Sequence, residues 1–176
     1  GNYLDAGGNV LVFPNELANV ASLNEFLNAT AVGSFGALQQ VPQEVSAINL
    51  QHRLVRNVFD KVPQNMQLPK VKKYFSFTQG NAVTENIITL KNKQPLWLSS
   101  KVKNGNVYVC TSPLDSKINE LVVHAMFAPI LFEMGIAGAS AQVQTGVIGE
   151  KNAVAVNALS MRKESVLKVS GEKNEL

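Results

Sequence analysis

Cysteine is nearly missing from this chain: Cys110 stands alone among 176 residues, so no internal disulfide can form. The absence does not separate an oxidising compartment from a reducing one. Histidine is almost as scarce, and one Cys with the well-separated His52 and His124 cannot supply a Cys/His zinc cluster, so no metal site is expected. Charge of either sign is also limited. Sixteen basic residues against thirteen acidic ones leave a formal +3, dispersed except at Lys70, Lys72 and Lys73, which is too weak a field to imply a nucleic-acid partner. No stretch approaches the roughly 20 apolar residues of a membrane-spanning helix, and no repeat period is visible. Two catalytic signatures are missing as well. The first apolar run ends in Phe13-Pro14-Asn15-Glu16, with no Ser or Cys in a Gly-x-nucleophile-x-Gly elbow. Gly7-Gly8 precedes a strand instead of following one, so it reads as a turn and not as a dinucleotide fingerprint, and no cofactor is expected.

What is present is a core. With 45% hydrophobic residues, the length suits one sizeable domain with an appendage. The densest signal runs from Lys103 to Gly135. Asn104-Gly105 favours the positive φ angles of a tight turn, and Val107 to Cys110 is a β-rich run fit for a sheet interior, with the strand starting at Asn106. In that strand Cys110 reads as a small buried hydrophobe. Thr111-Ser112-Pro113 ends the strand, and Ser112 or Asp115 is placed to cap the next turn or helix. From Leu121 to Met134 apolar residues fill nearly every position, which predicts a core helix enclosed on most sides.

Around this block, Tyr3 to Pro14 reads as a helix end, a double-Gly reversal and an apolar strand covered on both faces. Ser22 and Glu25 have capping-box spacing, predicting a short helix from about Leu23 that stops by Gly33. Leu38, Val41, Val45 and Ile48 alternate with polar residues as two short, half-exposed strands would. His52 to Phe59 makes about two helical turns with Leu54, Val55, Val58 and Phe59 inward. Strands follow at Tyr74 to Phe77, Ile87 to Leu90, Leu96 to Ser99 and Val107 to Cys110, the last three spaced as an antiparallel meander, so the sheet is mixed. Residues 1–140 form the α/β domain. Residues 141–176, with strand candidates at Val154 to Ala158 and Val166 to Val169, form a β-rich tail or the start of a next module. The chain opens on Gly1, without Met, and is already in an apolar run at Val10. It is therefore expected to be a piece of a longer protein, with Gly1 a tag remnant and the sheet cut upstream. The piece should then associate through the exposed edge, as a homo-oligomer, or fold its tail over it.

Candidate chemistry is thin. His124 near Asp115 and Glu120 allows a His-carboxylate pairing for a hydrolase, beside the plainer reading of a core His with one polar partner. His52, Arg53 and Arg56 allow an anion contact at a short helix, beside the reading of solvated surface residues. Lys70, Lys72 and Lys73 read as an exposed, charge-protected strand edge. Together these six basic residues make a possible interaction surface. Trp97 reads as a core anchor.

Four blocks carry a resemblance: Leu4 to Pro14, Asn65 to Val71, Asn104 to Val109, and Thr111 to Ser116 with His124 to Pro129. Over roughly residues 3–150 the chain resembles the extracytoplasmic, glutamine amidotransferase-like region of Bacteroidetes membrane proteins that carry a BatA-type (aerotolerance-regulator) N-terminal domain. The resemblance implies the C-terminal part of a flavodoxin-like α/β domain, anchored by membrane helices elsewhere in the protein and facing the periplasm. Active amidotransferases of this class place a Cys at the elbow and use a later His and Glu. Here the matching region has Pro14 and no His-x-Glu follows, so no catalytic residue is carried over. The implied role is a non-catalytic scaffold binding another protein or an envelope component.

Overall fold

The computed structural model describes residues 2–56, 58 and 67–136. The expected tail at 141–176 lies outside the described residues, as do Phe59, Asn65 and Met66.

At the N-terminus, α1 (Asn2–Asp5) is closed by Gly7, whose φ of 90° reverses the chain into β1 (Asn9–Val12), as the double-Gly pattern predicts. Helix α2 (Val20–Ala29) starts earlier than the Ser22/Glu25 pattern suggests. Its cap is Asn19, whose side chain accepts from the Ala21 N–H, while Ser22 only donates back to the Asn19 carbonyl. The helix ends before Gly33, as expected. Strands β2 (Gly33–Gln39) and β3 (Gln43–Ile48) take the two half-exposed segments. Then come α3 (Arg53–Arg56), shorter than expected but with Leu54 and Val55 buried as predicted, and β4 (Lys70–Val71). Strands β5 (Tyr74–Gln79), β6 (Thr84–Leu90), β7 (Pro95–Val102) and β8 (Gly105–Cys110) complete the β structure among the described residues.

Six of these strands form one mixed sheet in the order β1-β8-β7-β6-β3-β4, and β2 pairs with β5 in a separate antiparallel unit. The β6-β7-β8 meander is antiparallel, and β1 joins β8 in parallel. Alternation, regular along β8 and interrupted by bulges between β6 and β7, divides the core. On one face Trp97, Tyr108 and Cys110 pack with Leu54, Val55, Met126, Ile130 and Met134. On the other, Leu98, Val107 and Val109 pack with Leu4, Leu27 and the Phe35, Phe75 and Phe77 rings. Leu11 belongs with the first set and Val10 and Val12 with the second, so β1 is covered on both faces. Trp97 is the anchor expected of it, stacked on Phe127 at 5.9 Å and edge-on to Phe13 at 6.1 Å.

Two expectations are corrected. The β7–β8 turn takes its positive φ at Lys103 (55°), and Gly105 is already a strand residue. A side chain at Gly105 would meet the Gly8 carbonyl oxygen at 2.3 Å, so glycine is required there for close backbone approach to the double-Gly reversal. The continuous helix from Leu121 to Met134 is broken. A 3₁₀ turn, Glu120–Val123, stops at His124, and α4 (Phe127–Ile136) begins afresh. Pro129 is the reason: it lacks an N–H and would clash with the carbonyl four residues back, so it is tolerated only in the first turn of a new helix. Nor is α4 enclosed, since Phe132 is 66% exposed.

Candidate functional site

Among the described residues, two recesses beside the sheet each contain one of the two histidines.

The smaller, about 480 Å³, is built where the Trp97 face of the sheet turns polar. Along β7 the same face carries Trp97, then Ser99, then Lys101; registration sets Ser99 opposite Glu85 of β6 and Tyr108 of β8, and Lys101 opposite Asn106. His52, just before α3, closes the inner wall. Its ring is 6% exposed, with Nε2 2.8 Å from Ser99 Oγ and 3.7 Å from the Glu85 carboxylate. Nδ1 accepts the Leu54 N–H at 3.3 Å, which fixes the neutral tautomer: the proton is on Nε2 and is donated to Ser99. Ser99 therefore acts as acceptor toward His52, and its own proton has no acceptor among the described residues. Burial lowers the His52 pKa below its ordinary 6.5; Glu85 opposes this, and Arg53 adds to it. Arg53 and Arg56 extend from α3 over the recess. Arg53 makes a long contact to the Tyr108 hydroxyl at 3.4 Å, and Arg56 has no side-chain partner among the described residues.

The larger recess, about 1120 Å³, holds His124, Glu120, Glu44, Lys70 and Lys91. Here nearly every polar group is already committed. Glu44 is gripped by Lys91 at 2.5 Å and Lys70 at 2.9 Å, and these ammonium groups, Lys91 first, pull its carboxyl down to about 2. Glu120 accepts the Lys70 backbone N–H. His124 donates from Nε2 to the Gln67 carbonyl and accepts the Met126 N–H at Nδ1.

The residues singled out from sequence are thus distributed unevenly. His124 shares its recess with Glu120 but makes no bond to it, and Asp115 caps its own turn by accepting the Lys117 N–H. His52, Arg53 and Arg56 do converge, although His52 is buried and not solvated. Lys70 lies on the edge strand β4, whereas Lys72 and Lys73 fall outside it, and Lys73 is paired with Glu16. Of the six basic residues, His52, Arg53 and Arg56 line the smaller recess and Lys70 the larger. Ser99, Glu85 and Lys101 were missed; the signal was the alternation Trp97-x-Ser99-x-Lys101, which carries an apolar face into a polar and cationic one. Cys110 is buried in β8, where loss of hydration pushes its thiol up to about 12, and it donates to the Ser112 carbonyl. Among the described residues no three His, Cys, Asp or Glu side chains converge as metal ligands would, and no helix is long and apolar enough to cross a membrane.

No protein-family model and no curated protein sequence matches the chain. Its mixed α/β architecture is shared with two solved structures from Salmonella typhimurium. Cytoplasmic Protein STM3548 is 12% identical, with a TM-score of 0.58 over 74% of this chain and 55% of its own. Cytoplasmic Protein STM1381 from strain LT2 is 12% identical, with a TM-score of 0.56 over 78% of this chain and 57% of its own. The chain therefore spans little more than half the length of these structures. At this identity the likeness concerns the fold alone.

Proposed function

We propose that the chain is a non-catalytic binding domain, the C-terminal part of a flavodoxin-like, amidotransferase-like unit in a membrane-anchored envelope protein. On this reading it faces the periplasm and holds another protein or an envelope component. The sequence resemblance supplies the cellular context, and the parallel β1–β8 pair with helices on both faces of the sheet is in keeping with the amidotransferase-like affinity. The observation that carries the binding role is the Leu54 N–H on His52 Nδ1, which assigns the tautomer and with it the direction of the His52–Ser99 hydrogen bond. A serine nucleophile needs an imidazole lone pair to take its proton. Here the Leu54 N–H occupies Nδ1, Nε2 carries the proton, and the nearby carboxylate of Glu85 lies on the same nitrogen instead of orienting the other one. That geometry orders a hydroxyl for recognition.

Activity profiling of the full-length protein against esters, amides and glycans tests the reading. No turnover above background is expected. Turnover that disappears in Ser99→Ala or His124→Ala, with the fold retained by circular dichroism, would sink it.

A further inference from the structure

The smaller recess is lined by an excess of cations whose charge is only partly matched: Lys101 Nζ donates to the Asn104 carbonyl at 2.7 Å and Arg53 to the Tyr108 hydroxyl, both neutral acceptors. Arg53, Arg56 and Lys101 face a single carboxylate, Glu85, and His52 is uncharged at neutral pH, leaving an excess of two positive charges around a partly desolvated hollow. Among the described residues Arg56 has no partner to neutralise it. Ser99, ordered from behind by His52, has a proton to donate inward. Asn106 uses its amide N–H on Asn9 and keeps its carbonyl oxygen, while Glu85 is an acceptor 61% exposed. Apart from Val83 the walls are polar. An inorganic anion would satisfy the cations but leave most of about 480 Å³ to water, and would gain nothing from Glu85 or Asn106.

We propose that this recess binds a phosphate monoester of a polyhydroxylated alcohol, the chemistry of a sugar phosphate. The inference goes beyond the partner proposed above and rests on that reading only in taking the Ser99 hydroxyl as a recognition group and not a nucleophile. Near neutral pH a monoester carries close to two negative charges, matching the excess of the lining, and its oxygens suit the guanidinium forks of Arg53 and Arg56. The Ser99 hydroxyl donates to the phosphate or to the first alcohol oxygen. Glu85 and the Asn106 carbonyl accept from hydroxyl groups, which disfavours ligands that are all acceptor. A phosphodiester headgroup of a lipid has the same phosphate chemistry but only one charge, so the soluble monoester is the better match.

Calorimetric titration of the protein with glucose phosphate, inorganic phosphate, glucose and vesicles of phosphatidylglycerol tests this. Glucose phosphate is expected to bind at least about tenfold more tightly than inorganic phosphate, and glucose and the vesicles not measurably. Arg56→Ala, at an exposed position, should weaken glucose phosphate about tenfold or more while leaving the melting temperature in place, and Arg56→Lys should recover part of the loss. Glu85→Ala should narrow the ratio between glucose phosphate and inorganic phosphate, because relief of charge repulsion favours both anions whereas loss of a hydroxyl acceptor weakens only the sugar ester. Equal binding of the two phosphates, binding to vesicles alone, no binding by glucose phosphate, or an Arg56→Ala protein that binds as the parent does would each overturn the proposal. Failure here, with activity profiling still silent, leaves the non-catalytic reading intact; turnover dependent on Ser99 would remove both.

Discussion

The two recesses differ less in residue types than in how those residues are used. Around His124 the opposite charges are adjacent and close on one another: Glu44 between two lysines, Glu120 on a backbone N–H, and both imidazole nitrogens on the main chain. Around His52 the cations outnumber the anion, one guanidinium is unmatched among the described residues, and a buried ring holds a hydroxyl in a fixed orientation. The larger cavity is therefore the less equipped one. Volume measures room, whereas recognition depends on polar groups whose capacity the fold leaves unused.

This contrast is sharpest in stability. His52→Ala removes a buried ring, leaves a gap beside β7 and orphans the Leu54 N–H, and should cost about 2–4 kcal/mol in denaturant unfolding. Loss below about 0.5 kcal/mol would mean that the ring is not the wall of the recess. The next effect is in pH. Because burial lowers the His52 pKa, the unfolded chain takes up this proton more readily than the folded one. The contribution is then fully present above the ordinary value of 6.5 and is lost as pH falls from there through the lowered value. Melting temperature followed from neutral pH downward should decline over this range in the parent and more gently in His52→Gln; equal slopes would break the assignment. The smallest effects belong to the other recess. His124→Ala, at a half-exposed ring with backbone partners alone, should change stability by no more than about 0.5–1 kcal/mol, and Glu44→Gln, at a partly exposed carboxylate paired with solvent-exposed lysines, should shift the melting temperature least of all. A large loss in either variant would show that the self-satisfied cleft is the structurally demanding one.

Much of the architecture could be read from local pattern. The double-Gly reversal, the buried Val107 to Cys110 strand and the evenly spaced meander are dictated by residues within a few positions of one another. The interrupted helix was harder, because the apolar content of Leu121 to Met134 outweighed the veto of Pro129, and hydrophobicity alone reports burial potential and not continuity. The start of α2 misled for a related reason: Ser22 and Glu25 have the right spacing, but Asn19 reaches the open N–H groups first. As for the site, sequence adjacency exposed only the half supplied by α3. The half supplied by the sheet depends on cross-strand registration, which sets Glu85 opposite Ser99 and Asn106 opposite Lys101; that register includes bulges between β6 and β7 that strand spacing alone does not reveal. His124 drew attention because Asp115 and Glu120 precede it in sequence, yet of those two only Glu120 shares its recess, and without bonding to it.

The parallel seam between β1 and β8 has a consequence in time. The β6, β7 and β8 strands are joined by short turns, so the ladder that presents Glu85, Ser99, Lys101 and Asn106 closes small loops. The seam instead joins residues such as Asn9 and Asn106, 97 positions apart, and its loop-closure entropy falls due before its contacts give any return. The meander should accordingly assemble first and β1 should dock late. Truncating Val12 should then chiefly speed unfolding, with a φ-value of about 0–0.3, whereas truncating Leu98 should slow folding; the reverse order in stopped-flow kinetics would mean that the N-terminal strand is part of the nucleus. With the expected order, the floor and one wall of the recess are in place before the strand at the edge of the sheet has found its partner.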